Sequence, residues 1–552
     1  MKRLNTIFWN FMILFTVTTS CESILDTESN MMILPSEHQL NSPNDTLYSM
    51  IGIFTQLEKL ADRYVLLGEL RGDLMDVTSY TDPNLLEIYN HEISKDNPYN
   101  KIEDFYAVIN NCNYLICNID TSIMLKAEKV MYKEFAAAKS IRAWTYFQIA
   151  LNYGNVKYYE QPILTVKDAD NFETLTLNEL IPLLIQDLEP YKHIDAPGSI
   201  KLTEDLESSN RSYFPIQFVL GELYLWNGEY ERAAVEYHDL IVKNEYYIPG
   251  VFRSTWTVEN GVFVERSIEN NDWPTFLSLK GYGQITIIAS ANEYEQGSEL
   301  DRLSWNTEII PSEIALNNWA NQIYYFDATT LIEGDLRGDI GSYISPYGFS
   351  LLNDEWGISG SYSSTENIIL KYNRMTYETA KAVSIFRTNT LYLRYAEAVN
   401  RAGKPNLAFA ALKNGLNSET LVVDSIVPPS EKYSTITTEG GVFYDYVNFE
   451  EPVFDFNIGI HGLGCGNVNL SLDFVIPELN SKQDSIIWVE NKIVEELALE
   501  TAFEGNRFHD LMRIAKRNNN PSYLANKVAE KYENNQGAIR TKLMDENNWY
   551  LP

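Results

Sequence analysis

Cys21 is the first residue able to carry a covalent group, and its setting suggests which one. It follows the apolar run Ile7–Val17 and the small residues Thr18, Thr19 and Ser20, with Lys2 and Arg3 ahead of them. The run is too short to span a bilayer comfortably, and small residues before a cleavage point mark residues 1–20 as a signal peptide. A Cys left at the new N-terminus offers its thiol for lipid attachment. A plain secretory signal with an incidental Cys is the competing reading.

Flat rings among amides and acids form the second set. Trp273 in NNDWPTF, Trp305 in DRLSWNTE and Trp356 in NDEWGISG sit among polar residues, as do Tyr80 in SYTDP and Tyr99 in DNPYN. Rings of this kind stack on the apolar faces of sugars, while amides and carboxylates bond the hydroxyls. For each Trp, burial in a core competes with ligand contact. Arg71 and Asp73, in ELRGDL, are placed to bond a ligand from a loop, or equally to pair with each other and fix that loop.

Catalytic patterns do not emerge. The six His are dispersed, with no His-Glu-x-x-His and no Gly-x-Ser-x-Gly in the chain. With 76 acids, chance carboxylate pairs are guaranteed, so their number says nothing for a glycosidase. GIHGLGCGN (459–467) lacks the Lys and the spacing of a phosphate loop; it reads as a flexible loop over a binding or partner face, with His461 a structural hydrogen-bonder. Cys112 and Cys117 lie five apart on one predicted helix and point away from each other, so neither a disulfide framework nor a zinc site is expected. The reading is of a protein that is not an enzyme and needs no cofactor; a structural calcium ion in a loop is left open. A net charge of -33 argues against nucleic acid as a partner. No segment after the signal is long and apolar enough to span a membrane, so acyl chains on Cys21 would be the anchor.

The elements that must position these residues are mainly helical. Residues 21–44 read as a lipidated tether. DTLYSMIGIFTQLEKLADRYVLL, opening at a capping Asp45, repeats Ile53, Leu57, Leu60 and Tyr64 at helical spacing. KIEDFYAVINNCNYLICNI and KEFAAAKSIRAWTYFQIALNYG predict two more helices, the latter stopped by Gly154 and burying Trp144. FVLGELYLWNGEYERAAVEYHDLI has the spacings of a tetratricopeptide hairpin: Gly221 and Ala233 let two helices approach, Tyr224 and Tyr237 fill the gap, and Gly228 turns the chain. LYLRYAEAVNRAGKPNLAFAALKNGLN repeats the offset with Gly403 and Ala408. The helical parts are residues 45–245 and 388–552. A loop-rich aromatic insert at 246–387 is expected to carry ligand binding, and a second insertion spans about 417–485. Val489–Arg517 predicts a helix pair broken at Gly505, with Glu500 and Glu504 facing Arg507 and Arg513.

Taken together these blocks resemble the SusD/RagB family of outer-membrane lipoproteins. The likeness rests on the first helix and the loop after it, on FYAVINNCNYLI, on FAAAKSIRAWTYFQIALNYGNV, on LRYAEAVNRAG, on LALETAFEGNRFHDLMRIAKR and on the terminal NNWYLP. Glu22, Asp26 and Glu28 behind Cys21 are similar to the surface-export signal of Bacteroidetes lipoproteins, although Thr18 stands where the lipoprotein pattern has Leu. The resemblance implies a mainly α fold with tetratricopeptide-like helical hairpins and a loop-rich inserted subdomain. It also implies a cell-surface protein anchored in the outer membrane, which binds oligosaccharides, or peptides in some branches, and caps a SusC-like TonB-dependent transporter as its lid. In that family the loop before the second helix often helps form the binding face; here it carries Tyr99 and Asn100.

Overall fold

The computed structural model describes residues 40, 42–125, 128–169, 172–198, 209–250, 255–259, 262–267, 283–290, 298–326, 328–346, 365–372, 381–437, 441, 443–466 and 472–552. The expected signal peptide, Cys21, Trp273 and Trp356 lie outside the described residues.

The first predicted helix is two: α1 (Pro43–Glu58) and α2 (Ala61–Glu69). Ser42, not Asp45, caps α1, its hydroxyl accepting from Asp45 N at 3.3 Å and donating to the Asp45 carboxylate at 2.6 Å. After strand β1 (Met75–Val77) comes α3 (Pro83–Tyr89), opened by Asp82 as cap and Pro83 in the first turn. Helix α4 (Ile102–Asn118) packs along α1, and the hairpin β2 (Met124–Leu125)–β3 (Glu128–Lys129) follows it. Helix α5 (Tyr132–Tyr153) is buried along most of its length and ends at Gly154, φ 73°. Strands β4 (Asn155–Tyr158) and β5 (Glu173–Thr176) pair ahead of α6 (Leu177–Leu188), which packs on α5.

The tetratricopeptide hairpin forms as the spacings require. Helices α7 (Ile216–Asn227) and α8 (Tyr230–Lys243) reverse at Gly228, φ 82°. A Cβ on Gly221 would stand 2.4 Å from the Tyr237 ring, so only glycine admits that approach.

In the insert, β6 (Thr255–Glu259) pairs with β7 (Val262–Ser267), and β8 (Gln284–Ser290) pairs antiparallel with β14 (Lys381–Arg387). Between them lie α9 (Glu299–Trp305), β9 (Ile309–Pro311), α10 (Glu313–Ala320) and the short pairs β10 (Ile323–Tyr325)–β11 (Leu331–Glu333) and β12 (Tyr343–Ile344)–β13 (Ile368–Ile369). Among the described residues every sheet has two strands, so the architecture is mainly α.

The second hairpin is α11 (Thr388–Arg401) and α12 (Pro405–Lys413), joined through Gly403 at φ 87°. Helix α13 (Ser418–Val422) and irregular chain lead to α14 (Lys482–Glu500) and α15 (Arg507–Arg517), then α16 (Pro521–Ala529) and α17 (Gln536–Leu543). The C-terminus straps the other end of the chain: Leu551 N donates to Asn152 O at 2.8 Å, and the Trp549 carbonyl accepts from Arg71 at 3.0 Å. One apolar cluster runs from Leu40 to Leu551 and includes Trp144 and Trp319.

Ion pairs inside this core differ from the expected ones. Glu500 and Glu504 do not face Arg507 and Arg513; they grip Arg387 and Lys371 of the insert. Arg513 instead takes Glu397 and Asp510. The segment around His461 is no loose loop over a face: His461 is buried against Glu496 and stacks on Phe474 at 4.0 Å. A Cβ on Gly464 would meet the Asp335 carboxylate at 2.2 Å, so the backbone there is packed to contact. Cys112 and Cys465 are buried, whereas Cys117 is exposed.

Candidate functional site

A cleft of about 1020 Å3 opens where α1 meets α2, and it holds two of the residues expected to touch a ligand, Tyr80 and Tyr99. Glu58, Lys59, Asp62 and Arg63 form its floor. Tyr80–Asn84 make one wall, Pro98 and Tyr99 a second, and Glu299, Arg302 and Glu308 the third.

Local bonds explain why chain segments so far apart in sequence meet here. Strand β1 pairs antiparallel with β9, Asp76 opposite Ile310. Beyond that ladder Thr78 Oγ1 donates to Thr307 O at 2.7 Å and Thr81 Oγ1 to Glu308 O at 2.5 Å. These side chains stitch the Tyr80 wall to the Glu308 wall. Asn97 ties the second wall down: its amide donates to Asn84 O and to Glu87 at 2.9 Å each, and its carbonyl oxygen accepts from Tyr99 N at 2.9 Å. The Tyr99 hydroxyl donates to Glu299 Oε1 at 2.6 Å, which fixes the ring against α9. Tyr80, at 72% exposure, has its ring free on the rim.

The charges are arranged rather than loose. Arg63 is spent on Asp104 at 2.6 Å and on Lys101 O, and Arg302 on Glu308 at 2.6 Å. Asp62 Oδ2 accepts from Glu299 N at 3.1 Å, at the start of α9. Burial, with the nearby Glu299 and Glu58 charges adding to it, pushes the Asp62 carboxyl up to about 6. Burial and then the Glu299 carboxylate push the Tyr99 hydroxyl far above its ordinary value, so it stays a donor.

The other expected site residues lie elsewhere. Arg71 and Asp73 are not on an exposed loop and do not pair with each other. They are 2% and 1% exposed. Arg71 donates to Leu67 O, Trp549 O and Asn152, and Asp73 forms a two-pronged pair with Arg507 at 2.6 and 2.8 Å. Burial opposes the Asp73 charge, but Arg507 outweighs it and holds the carboxyl below its usual value. Both residues serve the fold and have no face turned to a ligand. Trp305 ends α9 but packs, half-buried, on Ile340, Ile344 and Ile368, away from the cleft. Sequence reasoning missed Asp62, Asp82, Asn84, Glu299 and Arg302. The signal within reach was Asp82-Pro83-Asn84, a helix start two residues after Tyr80, which had to hold that ring at a rim.

Two changes test this wall. Below pH 6 Asp62 gains a proton, its acceptor strength toward Glu299 N falls, and α9 is held less firmly. Ligand affinity is therefore expected to be lower at pH 5 than at pH 7, and titration calorimetry of Asp62→Asn should show that difference flattened.

The scaffold is thus one of tetratricopeptide-type helix hairpins, interrupted by long insertions, with a ring-rimmed cleft where α1 meets α2. No protein-family profile matches the chain. A SusD-like protein P2 of Formosa agariphila is 21% identical over 333 residues, 57% of this chain and 62% of that protein, so the match spans less than two thirds of the relative. A SusD superfamily protein from Bacteroides vulgatus superposes with a TM-score of 0.57 at 13% identity, covering 92% of this chain and 95% of that one. Another from Bacteroides thetaiotaomicron gives 0.53 at 17%, covering 92% and 98%. A SusD-like carbohydrate binding protein from Bacteroides vulgatus gives 0.53 at 12%, covering 85% and 83%. The chain thus has the fold of these SusD superfamily structures and is similar in sequence to a SusD-like protein.

Proposed function

We propose that this protein captures oligosaccharides at the cell surface in the Tyr80–Tyr99 cleft, is held in the outer membrane by acyl chains on Cys21, and delivers its ligand to a SusC-like TonB-dependent transporter that it covers as a lid. The observation that carries the binding role is the cleft itself: one tyrosine fixed, one with its ring free, and carboxylates, the Asn84 amide and the Arg63 and Arg302 guanidinium groups around them. Such a lining suits a polyhydroxylated ligand, which offers apolar faces and many hydroxyls. Binding in the cleft needs no bond broken. A neighbour in fold carries the name of a carbohydrate-binding protein, which supports a sugar over other ligands. The anchor and the transporter are supported by the Cys21 context and the family resemblance.

Charge narrows the ligand. Glu58, Asp62, Asp82, Glu299 and Glu308 stand against Lys59, Arg63 and Arg302, five acids to three bases, on a chain of net charge -33. Neutral glycans are expected to bind and sulfated or uronate-rich ones to bind at least about tenfold more weakly, the gap narrowing as salt rises. Glycan pools and peptide pools titrated side by side by calorimetry test the role. Tyr80→Ala should weaken the bound class about tenfold, roughly 1.4 kcal/mol. Binding of peptides alone, unaffected by Tyr80→Ala, would overturn the reading.

A further inference from the structure

Helices α7 and α11, the first helices of the two hairpins, meet α2, α5 and α15 around a hollow of about 30 Å3 that shares no lining residue with the cleft. Rings make part of its wall, among them Trp144 of α5 and Phe386 of β14. The rest is charged: Glu222 of α7, Arg394 of α11, and Asp510 and Arg513 of α15. Two acids and two bases therefore surround the same small space.

Arg394 and Asp510 are each left with one atom unserved. Arg394 Nε donates to Glu222 Oε1 at 2.9 Å, and Arg394 Nη2 stands 2.6 Å from Asp510 Oδ1. Asp510 Oδ1 also accepts from Arg513 Nη1 at 2.9 Å. Arg394 Nη1 and Asp510 Oδ2 are buried with no hydrogen-bond partner among the described residues. Nη1 lies 3.9 Å from Glu397 Oε2, beyond hydrogen-bond reach, and Glu397 is already taken by Arg513 and Arg517. Of the described residues with such a stranded atom, only these two line the hollow. A buried charged group with an unmade hydrogen bond is costly, so native interiors supply protein or water to it.

The occupant that fits must accept from Arg394 and donate to Asp510. An anion would face two carboxylates and could not donate; a cation would face two guanidinium groups and could not accept. An apolar atom would leave both groups stranded. The space exceeds the roughly 10–15 Å3 that one water needs. It is far below the roughly 300 Å3 at which small-molecule pockets begin.

We propose that this hollow is a structural water site, in which one water or a linked pair accepts from Arg394 Nη1, donates to Asp510 Oδ2 and completes the seam between α11 of the second hairpin and α15. The site is independent of whatever the cleft binds. The experiment uses crystals of the unaltered chain, measured in three ways: untreated, after a bromide soak with data taken at the bromine absorption edge, and under xenon pressure. The expected result is ordered water density joining the two atoms at hydrogen-bond distance, with no anomalous peak from bromide and none from xenon in the hollow. A bromide peak there makes it an anion site and overturns the proposal. A xenon peak makes it a dry apolar void and overturns it as well. So does a hollow without density in which Arg394 Nη1 bonds a protein oxygen directly.

Discussion

Replacing Arg387 with Ala is expected to destabilise this protein by about 3–5 kcal/mol, because it strands two buried carboxylates rather than deleting one bond. Arg387, at the end of β14, is 1% exposed. Its guanidinium donates to Glu504 at 2.7 and 2.8 Å, to Glu500 Oε1 at 3.0 Å and to the Glu500 carbonyl at 3.0 Å. Lys371 adds a bond to Glu504 at 2.6 Å, and Asn389 one to Glu500 at 2.6 Å. Lys371, with Arg337 at 3.5 Å from Glu500 but already engaged by Asp335 and Glu496, cannot neutralise both acids once the guanidinium is gone. The measurement is a denaturant titration, read as a lower midpoint with an unchanged slope. Arg387→Met combined with Glu500→Gln and Glu504→Gln should recover part of the loss, since no bare carboxylate remains.

The same network gives a pH signature. Burial opposes the charge of Glu500, but Arg387, then Arg337 and Lys371, hold its carboxyl below the usual value. Burial likewise opposes Glu496, yet Arg337 and His461 bring it down to about 2. Depressed carboxyls contribute stability that is complete above the unfolded value of about 4.3 and is lost as pH falls toward 2. The parent chain should lose stability over that window, and the Met–Gln–Gln variant should lose less.

These ion pairs mark where sequence reasoning stops. The hairpins were legible because their determinants are local: Gly221 faces Tyr237 sixteen residues on, and Gly228 and Gly403 sit at their turns. Gly154 likewise stopped its helix where expected. Partners for buried charges are not local. Arg387 meets Glu504 across 117 residues and Asp73 meets Arg507 across 434, so helical spacing offered Arg507 and Arg513 to Glu500 and Glu504 instead. The cleft divides in the same way. Tyr80 and Tyr99 flank turn residues that sequence alone exposes. Asp62 reads as one more polar position on a helix until Glu299, 237 residues away, is seen to bond it. Arg71 and Asp73 failed for the opposite reason: charged residues after a helix look solvated unless the C-terminal strap that buries them is known.

Gly68→Ala should disable the protein although it adds one methyl group to a helix. In a helix interior that change ordinarily stabilises by about 0.5–1 kcal/mol. Here the added Cβ would stand 1.8 Å from the carbonyl oxygen of Gly505 and 2.4 Å from its carbon. Both are backbone atoms, so no rotamer can relieve the overlap. The Gly505 turn cannot retreat freely either: its N–H donates to Glu69 at 2.8 Å, Phe503 N donates to the same carboxylate at 3.1 Å, and Gly505 itself lies against the Tyr64 ring. Moving α2 away breaks those bonds and opens the core, a cost on the order of 3 kcal/mol or more that outweighs the helical gain. Because α2 carries Asp62 and Arg63 at its start, any chain that still folds should show a displaced cleft floor and weakened ligand binding. Gly52→Ala is the matched control. Gly52 lies in α1, where a new Cβ meets nothing within 4 Å, so the same chemical change should leave stability unchanged or raise it by up to about 1 kcal/mol. Parallel thermal unfolding and calorimetry of the two variants separate a steric requirement at the α2–Gly505 contact from a general intolerance of alanine in these helices.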